Sequence, residues 1–179
     1  IDNYVRMFLE DHVFITALSN TLLAALIIGP VGYLMCFLLA WMINDISPKL
    51  RALMTLIFYA PSISGSAYVV WTFIFSADSY GLANSFLMKL GLIDTPLLFF
   101  SDSSMALGLV IAVQLWLSLG VGFLAFIAGL QNVDRTLYEA GAVDGIRDRW
   151  QELWYITLPQ MKPMLLFGAV TQIASAFSV

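Results

Sequence analysis

Charge is scarce in this chain. Asp, Glu, Lys and Arg make up 11% of its 179 residues, against about 25% in an ordinary soluble domain. The scarcity is also uneven. No charged residue occurs from Val13 to Asn44, from Ala52 to Ala77, from Ser103 to Val133 or from Pro163 to Val179. A helix needs about 20 mostly apolar residues to cross a bilayer. The first three runs meet that length, and the fourth has the same character but stops at the end of the chain. A soluble fold is therefore excluded as the leading interpretation, and a polytopic, all-α integral membrane protein is expected.

Other shortages narrow the function. Cys36 is the single cysteine and lies within an apolar run, so no intrachain disulfide can form and the thiol reads as a small hydrophobe. His12 is the single histidine, with no His or Cys at ligand spacing, so no metal site is expected. The few carboxylates lie in the connectors, and no acid/base cluster or nucleophile motif is visible, which argues against a membrane enzyme. The formal net charge of −4 is spread over the loops. It forms neither a basic face for nucleic acid nor a polybasic anchor.

What remains is a set of spans at about 13–43, 52–75, 105–130 and 164–179, belonging to one transmembrane domain. Residues 1–12 read as an interfacial lead-in, and the first apolar run is too long for a signal peptide. The connector Asn44–Arg51 carries a Ser47-Pro48 turn signal. Within 76–104, Leu82, Phe86 and Leu90 lie four apart, the stripe of a short surface helix, and Gly91 is placed to stop it. Pro30 and Pro61 fall inside spans; each reads as a kink near a pathway or hinge, or simply as one of the prolines that membrane helices carry more often. Gly29 and Gly32, and Gly120 and Gly122, offer smooth surfaces for close helix packing.

The two connectors 44–51 and 131–163 hold six of the eight basic residues. Two spans separate them, so both lie on one side, and the excess of Lys and Arg makes that side cytoplasmic. Residue 1 then lies outside, which implies an earlier span. Together with the missing initial methionine and the apolar end, this gives the expectation of a fragment of a longer permease-like protein, incomplete at both ends.

The segment LYEAGAVDGIRDRWQELWYITLP, residues 137–159, is the polar exception among the apolar runs. Asp134 is a good N-cap for a helix from Arg135. Gly145 ends that helix, because glycine takes positive φ without strain. Asp148 can cap a second helix, with Gln151 three residues on as in a capping box. Trp150, Leu153 and Trp154 share a face, and Pro159 forces a boundary just before itself. The aromatic face suits the membrane–water boundary. The small residues Ala140, Gly141 and Ala142 leave the first helix open to close approach by a partner. An ordinary interfacial loop fits the same physics.

The spacing resembles the EAA loop of permease subunits in binding-protein-dependent ABC importers: Glu-Ala-Ala, three residues, Gly, about nine residues, then Ile-x-Leu-Pro. Glu139, Ala140, Gly145, Ile156, Leu158 and Pro159 match. Gly141 stands for the second alanine, and ten residues rather than nine separate Gly145 from Ile156. Pro61, Trp71, Phe75, Gly81, Asn84, Leu87 and Gly91, with Asp144 and Trp150, resemble the carbohydrate-type branch.

The resemblance implies an ABC importer permease bundle in a bacterial or archaeal cytoplasmic membrane. It implies no cofactor on this chain, ATP being bound by a cytoplasmic ATPase dimer. A second permease subunit and an extracytoplasmic solute-binding protein complete the set of partners. It implies a coupling loop at 131–163 in which Glu139, Ala140, Gly141, Ala142, Asp144, Gly145, Leu158 and Pro159 serve the ATPase contact. Asn20, Tyr59, Ser64, Tyr68, Trp71, Gln114 and Trp116 are polar or aromatic groups in or near spans and are candidates for a sugar path, although helix–helix contacts would satisfy them equally well. An ion-coupled secondary transporter is the main alternative, weakened because no acidic group lies within the three full spans. A membrane scaffold binding some other cytoplasmic partner is the other.

Overall fold

A computed structural model describes residues 2–177; Ile1 and the last two residues of the expected fourth span, Ser178 and Val179, lie outside the described residues. The described residues form helices and connectors with no strand. Helix α1 covers Asp2–Leu9, and α2 runs from His12 to Asn44. The start of α2 is fixed by Asp11, whose carboxylate accepts the backbone N–H groups of Val13 and Phe14, each at 3.0 Å. Its 33 residues make about 50 Å of helix, well beyond a hydrocarbon core of about 30 Å. Ile28, Gly32, Cys36 and Ala40 recur every four residues and are all buried, so one narrow face of α2 carries most of the packing. Pro30 is accommodated inside the helix without ending it.

Helices α3 (Pro48–Ile63) and α4 (Ala67–Ile74) occupy the second uncharged run. The sequence suggested one span over 52–75. Instead the two helices meet at an angle of 87°. Pro61 in the last turn of α3 removes a backbone donor, and Ser64 is already extended. Short helix α5 (Leu82–Lys89) ends at Gly91, whose φ of +68° is the left-handed conformation open to glycine. Asn84 is fully buried there. Its amide donates to the carbonyls of Ser76, Asp78 and Leu97, and its oxygen accepts the Leu97 N–H at 2.9 Å.

The third uncharged run becomes α6 (Ser103–Leu117) and α7 (Val121–Gln131), interrupted at residues 118–120. By length and composition α2 and residues 105–131 each suffice to cross a membrane, and the α3–α4 pair does so if counted as one bent span. After the loop helices α8 (Arg135–Val143), α9 (Arg149–Glu152) and α10 (Leu158–Gln160), helix α11 runs from Lys162 to Ala176.

Helices α2, α7 and α11 pack against one another, and α6 lies on α2. The core between them is aromatic. Phe126 meets Tyr33 and Phe37 edge-to-face at 5.4 and 5.6 Å, and Phe123 meets Phe58. Edge-to-face pairs place the positive rim of one ring on the negative face of the other. Gly168 of α11 makes room for the Phe126 ring, since a Cβ there would overlap it. Outside this core, large apolar side chains such as Leu26, Leu56, Phe73, Leu166 and Val170 are exposed. Apolar surface so extensive needs lipid or other protein over it.

Candidate functional site

The polar loop between α7 and α11 is built by local chemistry. Asp134 caps α8, its carboxylate accepting the Thr136 N–H at 3.0 Å. That bond holds the Asp134 carboxyl below its ordinary pKa, because it favours the charged form. At the other end Asp144 is the last cap residue, and Gly145 stands at φ +96°. Ile146 N–H reaches back to the Gly141 carbonyl at 2.9 Å and Gly145 N–H to that of Ala142 at 3.4 Å. This is the Schellman arrangement, which satisfies carbonyls the helix leaves open.

Helix α9 opens on Asp148, whose carboxylate accepts the N–H groups of Trp150 and Gln151 at 2.9 Å. The Gln151 side chain returns the bond one residue earlier than a capping box predicts, at Arg147 N–H. No boundary forms before Pro159. A π-helical turn over Leu153–Thr157 leads straight into α10, with the Leu158 N–H bonded to the Leu153 carbonyl. The wider turn gives the proline ring the room an α-turn denies it. It also turns Leu153, Ile156 and Thr157 inward while Trp154 and Tyr155 stay exposed, so Trp150, Leu153 and Trp154 do not form the single aromatic face expected.

The sequence-named loop residues therefore divide. Glu139, Ala140, Ala142 and Asp144 are exposed on α8 and its end. Val143, unnamed in the sequence, is 87% exposed and shares the outer face with Ala140 by i, i+3 spacing. Gly141 is buried instead. A Cβ there would come within 2.7 Å of Ile156 Cδ1 and 3.1 Å of Ile146 Cδ1, so its close approach is to the chain's own π-helical turn. Leu158 packs against the core and Pro159 is exposed beside it. Tyr138 adds a link, its hydroxyl 2.9 Å from Thr157 Oγ1. The geometry holds α8 by its inner face and leaves a helix face free for a partner.

Among the candidates for a path through the spans, four meet in two pairs between α4 and α6. Tyr68 donates to Gln114 Oε1 at 2.9 Å. Trp71 stacks on Phe75 and meets the ring of Trp116 edge-to-face at 5.4 Å, and its buried Nε1 has no hydrogen-bond partner among the described residues. Tyr59 belongs elsewhere, on a cleft of about 420 Å³ between α3, the 118–120 break, α7 and α11. Asn20 is exposed and Ser64 lies at the exposed bend; neither joins the cluster or the cleft.

The cleft is lined by hydroxyls and amides that the sequence reading did not single out: Ser62, Ser118, Thr171, Gln172 and Ser175. No Asp, Glu, Lys or Arg is among its lining residues. Gln172 is 4% exposed, and its Nε2 is buried without a hydrogen-bond partner among the described residues. Gly32 makes room for it, since a Cβ there would collide with that nitrogen. A signal was available: Thr171 and Ser175 stand four apart in an otherwise apolar run, with Gln172 beside them.

Comparison with known proteins agrees with this geometry. The family described as "Binding-protein-dependent transport system inner membrane component" matches residues 13–178. The lactose transport system permease protein LacF of Rhizobium radiobacter is 34% identical over 173 residues, covering 94% of this chain and 56% of that protein. The arabinooligosaccharides transport system permease protein AraP of Bacillus subtilis is 31% identical over 183 residues, with 99% and 56% covered. The sn-glycerol-3-phosphate transport system permease protein UgpA of Yersinia pestis is 27% identical over 178 residues, with 99% and 58% covered. The chain thus spans little more than half the length of these relatives.

A solved bacterial ABC transporter involved in the import of the acidic polysaccharide alginate superimposes with a TM-score of 0.85 at 28% identity, covering 100% of this chain and 62% of that one. A second structure, the alginate transporter in complex with an alginate pentasaccharide-bound periplasmic protein, gives a TM-score of 0.82 at 28% identity, covering 96% and 59%.

Proposed function

The chain belongs to the binding-protein-dependent transport system inner membrane components, and from that premise we propose that it is a membrane-spanning permease subunit of an ATP-driven ABC importer for sugars or related polyols. The observation that carries the reading is the build of the 131–163 loop. Helix α8 is pinned through Gly141 and Tyr138 to the loop's own π-helical turn, and that turn to the bundle through Leu153, while Glu139, Ala140 and Val143 stay exposed. An isolated loop has no need of a free apolar strip flanked by a carboxylate. A cleft in a cytoplasmic ATPase would cover it.

On this reading ATP binds to the partner ATPase and this chain contributes no hydrolytic group. Closure of an ATPase dimer displaces α8. The Schellman turn at Gly145 sets the angle at which that displacement enters α9, and the continuous π-helical turn and α10 pass it to α11. Coupling of this kind is reciprocal, so substrate delivered from outside favours ATPase closure inside. A second permease subunit and a solute-binding protein complete the assembly; the alginate transporter carries such a protein in its own complex.

The substrate class is supported by the cleft. Its lining offers hydroxyl and amide groups without formal charge, which suits a neutral polyhydroxy compound. Gln172 lines this cleft beside Thr171 and Ser175, although its Nε2 is packed against Gly32 on the far side.

The test is Gly145→Val in the reconstituted complex of both permeases, ATPase and binding protein. Valine cannot adopt a φ of +96° without strain. Membrane insertion should be unchanged, whereas ATP hydrolysis stimulated by the sugar-loaded binding protein should be lost. Full transport by that variant refutes the coupling role.

A further inference from the structure

The 131–163 loop has a second attachment that the docking role does not require. Trp41 and Asp45 stand four residues apart on one face at the end of α2. Arg149 and Trp150, at the start of α9, meet that face. Arg149 pairs through Nη2 with Asp45 Oδ2, and the same nitrogen donates to the Trp41 carbonyl at 3.4 Å. The guanidinium carbon lies 4.7 Å from the centre of the Trp41 ring, and the Trp150 ring lies 5.2 Å from that same ring. An exposed ion pair alone holds little. Here the ion pair, the cation–π contact, the carbonyl bond and the ring contact converge on one guanidinium and its neighbour. The planar guanidinium makes the first three together and lies over the ring as a compact, strongly hydrated ammonium does less well.

The two ends of this clamp belong to different parts of the bundle. The loop continues through the chain into α11, whereas α2 is the long helix against which α6, α7 and α11 all pack. Without the clamp, a push on α8 enters the bundle along the chain and through the core contacts of Leu153. We propose that Arg149 is a positioning residue that ties the docking loop to α2, so that displacement of α8 drives α2 and α11 as one unit. This rests on the importer reading given above.

The experiment uses the complete complex in proteoliposomes and measures sugar accumulated per ATP hydrolysed. The wild-type ratio tests the importer reading by itself, and the clamp is judged from each variant's ratio relative to wild type. Arg149→Ala should lower the ratio about fivefold, the lower end of usual allosteric couplings. Arg149→Lys should restore only part of it, and the exchange Asp45→Arg with Arg149→Asp should recover more than either single change. Spin labels at Met42 on α2 and Arg147 in the loop give a readout independent of transport: one narrow distance distribution in the wild type, broadened in Arg149→Ala. An unchanged transport ratio in Arg149→Ala, an exchange no better than its single changes, or an equally narrow distance in Arg149→Ala each overturns the proposal.

Discussion

At Gly145 and Gly168 the same substitution has different causes of harm. A Cβ on Gly145 meets nothing within 4 Å, so its cost lies wholly in the backbone at φ +96°, about 1–2 kcal/mol. A Cβ on Gly168 has an ordinary helical backbone beneath it but overlaps the buried Phe126 ring. Overpacking of that kind costs about 1–3 kcal/mol. Gly168→Ala should therefore lower the melting temperature of the detergent-purified complex, and Gly145→Ala should act on the loop while leaving the bundle's melting close to wild type. Asp134 adds a pH dependence. Its carboxyl is depressed in the folded loop by the Thr136 N–H, so the cap is fully present above the ordinary carboxylate range. It is lost as pH falls through the lowered folded value. The protection of the Thr136 amide, its exchange rate relative to the intrinsic rate at the same pH, should fall on acidification, and Asp134→Asn, which keeps an acceptor but does not titrate, should flatten that fall.

At the scale of elements, what could be read from the sequence was what local chemistry determines. The caps at Asp134 and Asp148 and the glycine stops at Gly91 and Gly145 each depend on a few neighbouring residues, and each stands where the residues suggest. The π-helical turn escaped because proline at 159 excludes a tight turn without saying which wider one replaces it. The polar cleft escaped for a different reason: its walls come from α3, α7 and α11, and no single segment shows it. The buried face of Gly141 escaped likewise, since its neighbour Ile156 is fifteen positions away. In the connector between α4 and α6 one buried side chain gathers several backbone polar groups. Asn84→Ala removes four hydrogen bonds, each contributing about 0.5–1.5 kcal/mol. Limited proteolysis of membrane vesicles should then cut within 76–104 much faster than in the wild type, while α2 and α7 stay intact.

For the whole molecule, the contact of Arg149 with Asp45 puts the two basic connectors at one end of the bundle, as the charge count requires. Cysteines replacing Lys49 or Arg147 should react with an impermeant maleimide only from the cytoplasmic side, and one replacing Lys89 only from the opposite side. The right-angle bend at residues 64–66 has a consequence for hydration. Helix α3 has 16 residues, about 24 Å at 1.5 Å per residue, shorter than the hydrocarbon core. Its end, with the irregular backbone of Ser64, Gly65 and Ser66, falls at membrane depth, and all three residues are exposed on this chain. Hydrocarbon offers such peptide groups no partner, and open backbone survives there only against protein or water. Part of this backbone is met within the chain, the Ser64 N–H by the Pro61 carbonyl and the Ser64 and Ser66 carbonyls by the N–H groups of Ala67 and Val69, so the hydration expected at this depth centres on the Gly65 peptide. The Gly65 amide should take up deuterium from the solvent faster than the amides within α3 and α4, at a depth where lipid alone would leave it dry; protection equal to theirs refutes a hydrated bend.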